Sequence, residues 1–164
     1  MTGQLSIFED TSIVEAGAEI SECGQYRYKL WRIWDKRKPL ILWIMHNPSK
    51  ADSVSDDPTI NRVTDFSKRW GFGGFYVGNL FPYRETNPDI LKGINIEELI
   101  PHENCLAINE MIALCDFHLL AHGNPVVNPG RWQHVAKWHY LKLTKSGNPG
   151  HPLYLKANLK PIPF

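Results

Sequence analysis

Residues 40–84, LILWIMHNPSKADSVSDDPTINRVTDFSKRWGFGGFYVGNLFPYR, decide the fold. LILWIM is a continuous apolar run bounded by turn signals, which suits a central strand covered on both faces. Asp57-Pro58 reads as a helix N-cap followed by proline at the first helical position, where its missing N–H costs nothing. Ile60, Val63, Phe66 and Trp70 then recur at helical spacing until Gly71 stops the run, predicting an amphipathic helix of about three turns. After GFGG, the segment FYVGNLF reads as the next strand. A strand, helix and strand of this length imply a parallel crossover, nearly always right-handed. Two polar loops, HNPSKADSVSDD and PYRETNP, then leave neighbouring strand ends at one sheet edge, where open α/β sheets bind ligands.

Working outward, YRYKLWRIWD at 26–35 alternates like a strand with one well-buried face. With DKRKP as the turn, it predicts an antiparallel hairpin leading into LILWIM. Downstream, Asn87-Pro88 repeats the cap signature ahead of a short helix, DILKG. Residues 102–115, HENCLAINEMIALC, predict a second helix burying Leu106, Met111, Ile112 and Cys115. FHLLAHG reads as a third strand, GRWQHVAKWHY as starting helical, and LKLTKSG as extended. The prolines of NPGHPLYLK forbid a long helix and suggest a short edge strand or extended loop. Residues 1–24 show no period and read as a partly ordered acidic arm; residues 25–164 read as a single α/β domain.

A chain of 164 residues buries one sizeable core, and its formal charge of +1 gives no global field to hold a polyanion. The charges are nevertheless uneven. Residues 1–24 carry five acids and no Lys or Arg, whereas 121–164 carry six bases (Arg131, Lys137, Lys142, Lys145, Lys156, Lys160) and no acid. Such a run is either a solvated face or a phosphate-facing one. Cys23, Cys105 and Cys115 are odd in number and widely spaced, which suggests neither a disulfide framework nor a metal site. The N-terminus lacks a signal-like pattern, and no run approaches the roughly 18 apolar residues that span a bilayer. A cytoplasmic protein with no membrane partner is expected.

Several residues invite chemistry. Asn47, between His46 and Pro48-Ser49, presents an acceptor and donors at a strand end, although Asn-Pro is also an ordinary turn. Of the loop aspartates, Asp57 is the cap, Asp56 a solvated neighbour and Asp52 the open case. Carboxylates clustered there can hold Mg²⁺, but the spacing matches no cation-loop template, so no metal or cofactor is assigned. Asn79 either reads a planar base edge or ties two loops together. Arg84 meets a phosphate or a nearby carboxylate. His151, flanked by Gly150 and Pro152, belongs in a surface loop, where its imidazole can donate to an anionic leaving group or a phosphate. Trp132 and Trp138 either stack on bases or pack.

The string NPSKADSVSDDPTINRVTDFSKRWGFGGFYVGNLFPYRETNP, with TKSGNPGHPLYL, resembles a family of bacterial and phage proteins filed as domain of unknown function 1643. More distantly, the order of motifs resembles the uracil-DNA glycosylase superfamily. IMHNPS is similar to a first-strand ending, G-I-N-P-G, whose Asn positions the attacking water. GNLFPYRETNP is similar to a second-strand ending that reads the base, LLAHG to a third-strand ending, and His151-Pro152-Leu153 to a late H-P-S motif. Ser49 and Leu153 stand where those patterns have Gly and Ser.

This second resemblance implies a three-layer α/β/α sandwich with a short, mostly parallel central sheet, beside the N-terminal antiparallel hairpin. It implies a DNA glycosylase acting on a flipped, deaminated or modified base. Such an enzyme stabilises the departing base's negative charge and places one water, needing no strong nucleophile. Asn47 holds the water, Asp52 acts as base or electrostatic partner, and His151 stabilises the leaving base. His46, Pro48, Ser49, Asn79, Phe81, Arg84, Gly123, Asn124 and Pro152 contact the substrate, while Arg131 and Lys145 meet the DNA backbone. The competing expectations are a metal-assisted hydrolase of nucleotides or nucleic acid centred on Asp52 and Asp56, and a non-catalytic nucleic-acid-binding module on the same fold.

Overall fold

A computed structural model describes residues 12–130 and 134–164. Among them run β1 (Glu15–Ile20), β2 (Arg27–Ile33), β3 (Leu40–Met45), α1 (Pro58–Arg69) and β4 (Gly74–Asn79). A 3₁₀ turn (Pro88–Gly93), the short α2 (Ile96–Leu99), α3 (His102–Leu114), β5 (Phe117–Leu120) and β6 (Trp138–Tyr140) follow. A second 3₁₀ turn (Pro152–Tyr154) and β7 (Ile162–Pro163) close the chain. The strands form one mixed α/β sheet in the order β1-β2-β4-β3-β5-β6-β7.

The apolar run behaves as its composition demands. β3 lies between β4 and β5, parallel to both. Strand alternation sends Ile41, Trp43 and Met45 into a cluster with Ile60, Val63 and Phe66 of α1. Leu42 and Ile44 join a second cluster with Ile108 and Met111 of α3. Each fully buried side chain of this size contributes about 1.5–3 kcal/mol. Helix α1 starts as its sequence announces: Asp57 accepts the Ile60 amide at 2.9 Å, with proline at the first turn. Trp70 at its end stacks on Trp43, centroids 5.5 Å apart.

The sheet is not mostly parallel. β4, β3, β5 and β6 run parallel, but β1, β2 and β7 add antiparallel edges. Nor does β2 form a hairpin with β3; it pairs with β1 and β4. The cause lies in GFGG. A Cβ on Gly73 would sit 1.9 Å from the Asp35 carbonyl oxygen and one on Gly74 2.6 Å from that of Arg32. The two glycines thus let β4 slide between β2 and β3. The hairpin partner of β2 is instead β1, an edge strand from the acidic arm.

Three further expectations shift. The buried face of α3 is Asn104, Ala107, Ile108 and Met111, while Leu106 is exposed. The 104, 107, 108, 111 spacing follows one helical stripe, from which 106 is turned away. Trp138–Tyr140, expected at the end of a helical segment, is a strand parallel to β5. The HPLY segment is a 3₁₀ turn, and the edge strand falls later, at β7. Among the described residues no helix is long and apolar enough to cross a membrane.

Candidate functional site

The four parallel strands end at one edge, and the loops that follow them enclose a cavity of about 770 Å³. The connection from β3 leads to β4 on one side, and that from β4 leads to β5 on the other. The crevice beside β3 is therefore a topological switch point, where open sheets bind ligands. The β3 loop contributes His46, Asn47, Ser49 and Asp57; the β4 loop Glu85 and Thr86; the β5 loop His122, Gly123 and Asn124; the β6 loop Lys142 and Lys145. His151 and Tyr154 complete the wall.

Asn47 fastens the first two loops. Its Nδ2 donates to the Glu85 carbonyl at 2.7 Å, and the Glu85 amide returns a bond to the Pro48 carbonyl at 3.0 Å. Its Oδ1 accepts from His46 Nδ1 at 2.7 Å, leaving one lone pair for a ligand or water. His46 is buried, with its Nε2 accepting the Val126 amide at 3.1 Å, so it joins the β3 and β5 loops. Phe81 packs edge-on against it, fully buried. Phe81 and Pro48 therefore support the wall from behind rather than touch a ligand.

The β5 loop is shaped by Gly123, whose φ of +67° favours glycine and whose amide donates to the Pro149 carbonyl at 2.7 Å. Asn124 Oδ1 accepts from Thr144 Oγ1 and Asn148 Nδ2, tying the β5 and β6 loops. His151 caps the second 3₁₀ turn, its Nδ1 accepting the Leu153 amide. Pro152 is buried, and its carbonyl accepts from Arg62 of α1 at 3.3 Å.

Burial sets the charge of this wall. It lowers the pKa of His46, although the Asn47 contact opposes it, and lowers that of His122 despite the bond to Gly123. Burial, with His46 adding to it and Asp57 opposing, brings His151 down to about 4. Three neutral imidazoles thus share the cavity lining with Asp57, Glu85 and the exposed Lys142 and Lys145.

Asn47, His151, His46, Ser49, Gly123, Asn124 and Lys145 meet at this cavity; other expected residues do not. Asp52 turns back on its own loop, where Oδ1 accepts the Val54 and Ser55 amides at 2.9 and 2.8 Å. Those amides hold its carboxyl below the usual range. Asp56, expected to be merely solvated, pairs with Arg32 at 2.8 Å. Arg32 and Arg27 are both buried in β2; Arg32 also binds the Asp52 carbonyl, and Arg27 the Ala51 carbonyl. The aspartates on which the competing metal-assisted reading centred thus serve to anchor the loop. Among the described residues no three His, Cys, Asp or Glu side chains are grouped to hold a metal ion.

Asn79 is also displaced. It is 1% exposed and absent from the wall. Alternation places it on the same strand face as Phe75 and Val77, which pack toward α1. Its Oδ1 and Nδ2 are buried without a partner among the described residues. Arg84 donates to the Gly24 carbonyl at 3.1 Å and borders an adjoining hollow of about 350 Å³ with Ser49 and Lys50. Arg131 lies outside the described residues. Sequence reading missed His122, Asp57 as a wall residue, and Glu85. LLAHG did signal the first, because its histidine lies two residues past the end of β5.

A family model described as "Protein of unknown function (DUF1643)" matches residues 27–153. The chain belongs to the DUF1643 family. That match includes every strand end at the cavity and runs through His151. No curated protein and no solved structure matches the chain. The first sequence resemblance is thereby borne out, and nothing among these comparisons bears on the glycosylase one.

Proposed function

We propose that this DUF1643 protein hydrolyses an N-glycosidic bond, lodging the base of a nucleoside unit in the cavity at the strand ends. The convergence of Asn47, Asp57 and His151 on one concave wall carries this reading. Read as a three-layer α/β/α sandwich, the fold offers its ligand crevice at that same edge.

Water adds to the sugar's anomeric carbon as the bond to the base breaks, its electron pair leaving on the base nitrogen. Asn47 aims the water with the remaining Oδ1 lone pair. Asp57 uses Oδ1 for the Ile60 amide, and its other oxygen takes the water's proton and faces the cationic sugar. This assigns to Asp57 the part first expected of Asp52. His151, protonated on Nε2 in its neutral form, donates a hydrogen bond to the departing anion, which solvent then protonates. Lys142 and Lys145, in a segment without acids, suit the flanking phosphates of a DNA substrate.

The test is incubation with single- and double-stranded DNAs carrying deaminated or modified bases, and with the free nucleosides. Released base and alkali-labile abasic sites are measured. Asn47→Ala and Asp57→Asn are expected to lower the rate at least about 100-fold, and Asp52→Ala to retain it. Release from no substrate, or equal rates in wild type and the first two variants, refutes the proposal.

A further inference from the structure

Backbone hydrogen bonds fix where each cavity imidazole carries its proton. His122 Nδ1 lies 2.7 Å from the Gly123 carbonyl, which only accepts, so Nδ1 holds the proton and Nε2 presents a lone pair. His151 is the opposite case: its Nδ1 accepts the Leu153 amide at 3.2 Å, so Nε2 carries the proton. Among the described residues neither Nε2 has a hydrogen-bond partner, and both rings line the cavity. The backbone next to His122 lies against His151, since a Cβ on Gly123 would lie 3.7 Å from the His151 Cβ, and both rings respond to His46. His46 cannot share this role, because both of its ring nitrogens are engaged. Burial keeps both rings neutral, the form in which a ring nitrogen is either donor or acceptor.

We infer that His122 and His151 form an acceptor–donor pair that recognises a neutral heterocycle edge bearing an N–H beside a carbonyl or ring nitrogen. That is the lactam or amidine edge of a nucleobase. The inference rests on the reading of the cavity as a base site, and it gives these two histidines the reading role that buried Asn79 does not reach. His122 Nε2 accepts the ligand's N–H, and His151 Nε2–H donates to its carbonyl. An anion finds a donor at His151 but meets a lone pair at His122. A paired contact of this kind discriminates by about ten- to a hundredfold.

The probes are 2-pyridone, a lactam with no glycosidic bond, and N-methyl-2-pyridone, in which the N–H is blocked. Protein labelled with ¹⁵N at histidine reports the protonation of each ring nitrogen by long-range ¹H–¹⁵N spectra. Before addition, His122 Nε2 is expected to be unprotonated and His151 Nε2 protonated. 2-Pyridone is expected to shift both in a saturable way, and the methylated probe to bind at least about tenfold more weakly. His122→Phe should erase that preference, whereas His151→Phe, which removes the donor to the carbonyl both probes share, should weaken both. Identical tautomers on the two rings, equal binding of the two probes, or shifts at neither ring would overturn the pairing. These readouts need no turnover. Probe binding with the expected signatures but no base release upholds the pairing and refutes hydrolysis; base release with equal probe binding does the reverse.

Discussion

Replacing Asp56 with Asn tests how the loop between β3 and α1 is held. Arg32 is 2% exposed at its side chain and brings Nε and Nη2 to Asp56 Oδ1 at 3.0 and 2.8 Å. The rest of its guanidinium is bonded to the carbonyls of Trp31, Gly17, Asp52 and Ser55, so it cannot follow the lost charge. Removing one partner of a buried ion pair outright costs about 3–5 kcal/mol. Asn keeps a neutral acceptor, and the Asp56 side chain is 31% exposed to screening water, which reduces the loss to about 2 kcal/mol. With a urea slope of about 2 kcal/mol/M, the unfolding midpoint should fall by about 1 M. A fall below about 0.3 M would refute the anchoring role. So would Mg²⁺ at millimolar concentration raising the wild-type midpoint and not that of the variant, since a bound ion stabilises only the form that binds it.

Asn79→Leu should leave probe binding unchanged and keep or slightly raise the urea midpoint, because it removes a buried amide without partners; lost binding would return Asn79 to the site. Stability should depend on pH through His151. Its folded pKa of about 4 lies below the ordinary histidine value of 6.5, so its contribution is complete above 6.5 and is lost as pH falls toward 4. At about 1.4 kcal/mol per unit, discounted for partial exposure, the loss is about 2 kcal/mol. Urea midpoints across that window should flatten in His151→Gln, and an unaltered slope would contradict the assignment. Gly123→Ala should cost about 1–2 kcal/mol, because φ is +67°. The same change should weaken 2-pyridone binding by straining the left-handed turn that sets the His122 backbone, since the added Cβ itself meets His151 only at 3.7 Å, and wild-type affinity would refute that coupling.

The legible parts of the fold were those in which one local cause suffices. LILWIM had too few polar positions to expose either face, and it lies between two parallel neighbours with a helix-bearing cluster on each side. Asp57-Pro58 announced a helix start through capping chemistry that operates within four residues. The pairing of β2 with β4 was not legible because it depends on a close approach between segments about forty residues apart, permitted by Gly73 and Gly74. A glycine pair in sequence reads as a loop and does not declare which backbone will lie against it.

The same distinction separates the right and wrong site residues. Asn47 lies two residues past the end of β3 and His151 caps the start of the second 3₁₀ turn, so both stand outside the ladder and open onto the sheet edge whatever the strand register. Asn79 is the last residue of its strand, so the alternation that buries Phe75 and Val77 binds it too. One residue's difference in strand length moves a carboxamide from the cavity wall into the interior. His122 gains from the same rule: β5 ends at Leu120, and two residues on the chain has left the ladder and turns its imidazole to the cavity. The aspartates erred for another reason. Carboxylates at a strand end invited a competing metal reading, but buried Arg32 and Arg27 on β2 needed carbonyls and a carboxylate, and the loop lying over them supplied these. The demand came from the arginines, two strands and a turn earlier in the chain. A buried guanidinium is therefore what converts this acidic loop from a candidate metal site into a fixed wall for the cavity.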